Sequence, residues 1–118
     1  MTGNITWFEV VGHDADALGK FYSSVLGWTL NVRQTPHGPY AFTDCAETGV
    51  AGGVGAVPHG SGWTTVYVGV ESLEATIEAA LAQGGSVLMP PMDLPDMRIA
   101  VIADPEGHAM GLSQKPQS

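Results

Sequence analysis

Cysteine occurs once in the 118 residues, as Cys45. A single thiol excludes an intramolecular disulfide framework and any thiolate-rich metal centre. Asp44 and Glu47 lie close to it and oppose thiolate formation, so a structural role is expected. Basic residues are also scarce: four Lys and Arg stand against twelve Asp and Glu, a formal net charge of -8. A chain this acidic repels a phosphate backbone, so nucleic acid is not an expected partner, whereas a cationic ligand is admitted. No apolar run approaches the roughly 20 residues that span a bilayer, and no basic segment followed by an apolar one marks the N-terminus. No membrane partner and a cytoplasmic location are therefore expected. The length suits one domain, over residues 1-118.

What is present is a repeat. Shifting the sequence by about 58 residues lays one half on the other without gaps. Trp7-Phe8-Glu9-Val10-Val11 falls on Thr65-Val66-Tyr67-Val68-Gly69, and Asp14 falls on Ser72. Tyr40-Ala41-Phe42 falls on Arg98-Ile99-Ala100, and Val50 to Gly55 on His108 to Ser113. Few residues are identical; the order of strand, helix, glycine and three further strands is what recurs.

Asp14 and Ser72 suit helix N-caps, because their side-chain oxygens accept from first-turn amides. Leu18, Phe21, Tyr22, Val25 and Leu26 form an apolar stripe at helical spacing, with a weaker counterpart in Ile77, Ala80 and Leu81. Gly27 and the pair Gly84-Gly85 stand where a left-handed residue closes a helix. Strands are expected at Trp28 to Val32, Tyr40 to Thr43, Val50 to Val57, Ser86 to Met89, Arg98 to Ile102 and Ala109 to Gln114. Turn residues separate them, including Pro36-His37-Gly38-Pro39, Pro58-His59-Gly60-Ser61-Gly62, Pro90-Pro91 and Asp104-Pro105-Glu106-Gly107. The expected fold is α+β: two tandem βαβββ modules, about 4-57 and 63-114, whose mixed sheets curl around a cavity with one helix per module outside.

The phrase from Trp7 to Asp14, then Phe21-Tyr22 to Gly27-Trp28, resembles the first module of vicinal-oxygen-chelate proteins, the superfamily of glyoxalases, bleomycin-resistance proteins and extradiol dioxygenases. Ile102-Ala-Asp-Pro-Glu-Gly-His-Ala-Met-Gly-Leu-Ser-Gln114 resembles their closing strand. The Pro90-Pro91 loop, the Arg98-Ile-Ala stretch and the tryptophans resemble a glyoxalase-like subgroup of mostly unassigned function. Members typically place His, Gln or Glu metal ligands on the first and last strands of each module. The corresponding positions here are Trp7, Thr65, Gly53 and Gly111, none of them a usual ligand for a divalent metal. A metal centre and a cofactor are thus not expected.

Glu9, two residues from Trp7 on one strand, shares its face and stands as a ligand-amine partner or a base; the competing reading pairs it with Arg98. Tyr67, its repeat mate, offers a flat ring with a hydroxyl tip. Tyr40 and Arg98 read as repeat mates that close two ends of a groove, with strand-edge packing and a snorkelling Arg as the structural alternative. Gly53 and Gly111 replace ligand side chains and so open space, or else allow close strand packing. His13, His37, His59 and His108 share no ligand spacing, and His13 is a weak acid/base candidate at a helix start. Met89, Met92, Met97 and Met110 add polarizable surface suited to flat ligands, or to an ordinary core.

These readings give a preferred function: metal-free binding of an apolar or aromatic small molecule, cationic ligands included, by Trp7, Glu9, Tyr40, Gly53, Thr65, Tyr67, Arg98 and Gly111. Natural-product sequestration, and so antibiotic resistance, is its concrete form. The alternatives are a lyase or isomerase with Glu9 or His13 as base, and a diverged metal-dependent enzyme of the same superfamily. The resemblance also implies a homodimer.

Overall fold

The computed structural model describes residues 3-36, 38-44, 48-57 and 62-115. Two compact units divide the chain: Trp7–Thr64, and Met1–Thr6 with Thr65–Ser118. The architecture is α+β, with the expected βαβββ order occurring twice.

The first module contains β1 (Ile5–Gly12), α1 (Ala15–Leu26), β2 (Asn31–Thr35), β3 (Gly38–Phe42) and β4 (Gly52–Ala56). Its strands lie in the order β2-β3-β4-β1. The β1–β4 pair is parallel, with Glu9 beside Gly53, and β3 is antiparallel to both β2 and β4. Asp14 caps α1 by accepting from the Ala17 amide at 3.0 Å, and Gly27 ends it at φ 76 while its amide donates to the Ser23 carbonyl. Side chains alternate between the faces of a strand. Val10, Ala41 and Val54 therefore share one face, where Leu18, Tyr22 and Leu30 pack on them. Only part of the apolar stripe on α1 reaches this core: Phe21, Val25 and Leu26 are more than half exposed.

The second module contains β5 (Trp63–Gly69), α2 (Leu73–Ala82), β6 (Ser86–Asp93), β7 (Arg98–Ala103) and β8 (Ala109–Gln114), ordered β5-β8-β7-β6. Ser72 caps α2 through a bond from the Ala75 amide. Gly84 adopts φ 92 and Gly85 donates to the Ala80 carbonyl at 2.8 Å, the paired closure that satisfies orphan carbonyls at a helix end. Leu73, Ala100 and Leu112 form the core under α2. In the Asp104 turn, the carboxylate accepts from the Glu106 and His108 amides and contacts the His108 ring. Those bonds, led by the one from the His108 amide, hold the Asp104 carboxyl below its ordinary value.

Two sequence expectations change here. Pro90-Pro91 is not a turn: β6 continues through it to Asp93, and the prolines sit in a bulge between Met89 and Met92. Proline cannot donate to a ladder, so a bulge is where a strand accommodates it. A second register shift lies between Val87 and Met89, and after both irregularities β7 stands one residue further along than a gapless repeat puts it. Val54 and Leu112 occupy equivalent places, yet Val54 pairs with Ala41 and Leu112 pairs with Ala100. The offset is thus 58 at β4/β8 but 59 at β3/β7. Tyr40 corresponds to Ile99, not to Arg98.

Candidate functional site

The face of the first module away from α1 is built by alternation. Trp7 and Glu9 come from β1, Gly53 and Gly55 from β4, Tyr40 and Phe42 from β3, and Arg33 from β2, opposite Tyr40. Tyr40 crosses β4 to reach β1. A Cβ on Gly53 would stand 2.5 Å from Tyr40 Cζ, and one on Gly55 would stand 2.8 Å from Tyr40 Cδ2. Only glycines at both places let the ring lie flat on the strand. Its hydroxyl then donates to Glu9 Oε2 at 2.9 Å and accepts from Trp7 Nε1 at 3.1 Å. Burial, and then the Glu9 charge, push the Tyr40 phenol well above its ordinary value, so it stays a neutral donor. Phe42 completes the aromatic face, its ring centroid 4.8 Å from that of Tyr40 and 6.1 Å, edge-on, from that of Trp7. Trp7, Glu9, Tyr40 and Phe42 are all half-buried, which leaves each some surface for a ligand.

The sequence placed Trp7, Glu9 and Tyr40 on one site, and the fold brings them together. Glu9 accepts from Tyr40, and Arg98 does not pair with it. Arg98 stands on the helix-side face of the second module, where it grips Glu74 with two bonds of 2.8 and 3.1 Å and Asp93 with one of 2.8 Å. The Glu74 bonds, and then that to Asp93, raise the guanidinium's affinity for its proton, while the Glu74 carboxyl is held low by Arg98. Beside them lies an open cleft of about 320 Å³ lined by Ser72, Leu94, Met97 and Gln114. Reading Arg98 as Tyr40's mate was a register error of one residue, and one residue moves a side chain to the other face of a sheet.

Gly53 and Gly111 do not open space. Tyr40 fills the volume over the first, and the Tyr67 ring covers the second, 2.6 Å from where a Cβ would stand. Tyr67 is 4 % exposed. Thr65 is also buried, with its hydroxyl donating to the Ala109 carbonyl at 2.9 Å. The four positions implied for a metal thus hold an indole bonded to a phenol, two glycines under rings and a hydroxyl committed to backbone. That donor set does not suit a divalent ion. Among the described residues no group of three or more His, Cys, Asp and Glu is placed to hold one.

His13 is exposed in the bend between β1 and α1, with no hydrogen-bond or ion-pair partner among the described residues. His108 serves its turn. Cys45, His37 and His59 lie outside the described residues. Trp28 joins the helix-side aromatic group, 5.2 Å from Phe8 and 5.8 Å from Tyr22 between ring centroids. The buried Trp63 indole N–H has no partner among the described residues. Sequence reasoning missed Phe42 and Arg33. Alternation from Tyr40 would have found Phe42, whereas Arg33 depended on the β2–β3 register. No helix among the described residues is long and apolar enough to cross a membrane.

Comparison with known proteins agrees with this fold. The family model for the glyoxalase-like domain matches residues 8–113. A Mycobacterium tuberculosis protein bearing the name glyoxylase CFP32 is 31% identical over 120 residues, covering 95% of this chain and 46% of its own length. The anthracycline biosynthesis protein DnrV of Streptomyces peucetius is 31% identical over 134 residues, covering 96% of this chain and 47% of its own. The chain thus spans just under half the length of these two relatives. Lactoylglutathione lyase of Haemophilus influenzae is 31% identical over 109 residues, or 80% of each chain. Among solved structures, Streptomyces coelicolor methylmalonyl-CoA epimerase shares the fold at a TM-score of 0.61 and 17% identity, covering 99% of this chain and 100% of its own. A match across nearly the whole repeat leaves one assignment: the chain belongs to the glyoxalase-like family of the vicinal-oxygen-chelate superfamily.

Proposed function

We propose that this chain binds a planar aromatic small molecule on the first module, against Trp7, Tyr40 and Phe42, with Glu9 engaging a donor or cationic group. The observation that carries the reading is the hydrogen-bonded chain from Trp7 through Tyr40 to Glu9. It holds two half-buried rings and a carboxylate in fixed positions on the face away from α1. Pre-ordered aromatic surface with few polar groups is the usual make-up of a small-molecule site. The name of the Streptomyces peucetius relative points to fused-ring natural products, and sequestration of such a compound is the form of binding proposed.

Anthracyclines are the first probes, since they are planar, coloured and fluorescent. Titration should quench ligand fluorescence, and Trp7→Ala should weaken binding about tenfold through loss of ring stacking. Failure of anthracyclines and other fused-ring compounds to bind, or to raise the melting temperature, overturns the reading. A homodimer belongs to the same proposal: two relatives are about twice the matched length, and a second copy would supply an equivalent span. A monomeric mass at working concentration removes that part.

A second reading has support in the names of two relatives, a glyoxylase and a lactoylglutathione lyase. Here Glu9, held by Tyr40, is the base of a lyase or isomerase. Turnover of a candidate thiol hemiacetal substrate that is unchanged in Glu9→Gln would remove it.

A further inference from the structure

The chain has four Lys and Arg side chains, and their partners differ. Lys20 pairs with Asp16 at 3.2 Å, and Arg98 is held by Glu74 and Asp93. Lys115 is exposed just after β8. Arg33 has no carboxylate partner among the described residues, in a chain whose formal net charge is -8. Lys115 likewise has no carboxylate partner among the described residues, but Arg33, unlike Lys115, rests over an aromatic ring.

Position is what sets Arg33 apart. Arg33 is the direct β2 partner of Tyr40, and its guanidinium carbon lies 5.4 Å from the centre of the Phe42 ring. A guanidinium resting on an aromatic face loses part of its freedom while its N–H groups remain available around its edge. It adjoins the same aromatic surface that Trp7 and Tyr40 build. Glu9 stands three strands away, a separation of about 14 Å at normal strand spacing. The face therefore carries a cation at its β2 edge, rings in the middle and a carboxylate on β1.

We propose that Arg33 is an anion subsite, and that the ligand is an aromatic carboxylate whose ring system lies on Phe42, Tyr40 and Trp7. The inference rests on the binding function proposed above and adds the ligand's charge and orientation. The planar fork of Arg matches the two oxygens of a carboxylate, which Lys does not reproduce. Overall negative charge opposes approach of an anion, so the contact must be local and specific.

The test compares anthraquinone-2-carboxylate with the uncharged anthraquinone-2-carboxamide, by calorimetry, on wild type, Arg33→Gln and Arg33→Lys. Wild type should prefer the carboxylate by about threefold, the scale of an ion pair at an exposed side chain such as Arg33. Arg33→Gln should abolish the preference, lowering carboxylate affinity more than amide affinity, and Arg33→Lys should restore only part of it. Raising salt should narrow the wild-type preference. Equal binding of both compounds by wild type, or a preference that survives Arg33→Gln, overturns the anion subsite and leaves aromatic binding standing. Binding of neither compound overturns both.

Discussion

Adding one methyl group should have opposite effects at two glycines. At Gly53 a Cβ would lie 2.5 Å from Tyr40 Cζ and 2.7 Å from the Ala41 carbonyl oxygen, so the ring must leave its place on β4. Its bonds to Trp7 and Glu9 would go with it. Crowding of this kind costs about 1–3 kcal/mol, set against roughly 0.5–1 kcal/mol gained when Ala replaces Gly within a strand. A net loss of about 1–2 kcal/mol is expected. For 118 residues, an unfolding entropy of about 2.1 cal/mol/K per residue converts each kcal/mol into roughly 4 °C. Gly53→Ala should therefore melt about 4–8 °C below wild type. Gly19 is the control: it lies inside α1, its Cβ would meet only Leu30 Cδ1 at 3.6 Å, and Gly19→Ala should raise the melting temperature by about 4 °C. Thermal and urea unfolding by circular dichroism give both values. The mechanism itself is checked in the Tyr40→Ala background, where the ring is gone and the cost of Gly53→Ala should fall by about 1 kcal/mol or more. An unchanged cost there, or a Gly53→Ala protein as stable as wild type, refutes the account of Tyr40 on its glycines.

Three further outcomes follow from single contacts. Because Tyr40 holds its proton more tightly folded than unfolded, its contribution is complete below the unfolded phenol's value near 10 and is lost as pH rises above it. Urea unfolding between pH 8 and 11 should show this decline, reduced in Tyr40→Phe; identical slopes would contradict the placement of the phenol. Gln114→Leu strips the Leu73 amide of its acceptor at the start of α2, which should cost about 1–3 kcal/mol in the same assay. Trp63→Phe, in contrast, removes an indole N–H that has no partner among the described residues, so the change should stay within about 1 kcal/mol, and a larger loss would reveal a partner for it.

Periodicity made the repeat, both helices and most strands legible, because caps, glycines and turn residues act locally. Trp7 and Glu9 were assignable to one face because two residues of one strand need no long-range knowledge. Their link to Tyr40 was not legible. It depends on β3 and β1 flanking β4, a parallel pairing that no local pattern encodes. Arg98 failed for the complementary reason. Its assignment rested on counting across β6, whose two irregularities leave β7 one residue beyond where a gapless alignment puts it. The meaning of Gly53 and Gly111 was inverted by the same limit, since a missing side chain says nothing about which neighbour occupies its volume.

The bulge in β6 also bears on how the two halves came to differ. Duplicated modules begin with the same faces, and substitution changes them one side chain at a time. A single inserted residue alters a whole stretch at once: at β7 it leaves Ile99 where the first half has Tyr40, and carries Arg98 to the opposite surface. One half could then keep a phenol at that place while the other put a hydrocarbon side chain there. Removing one residue from β6 would be a way to run that divergence backwards.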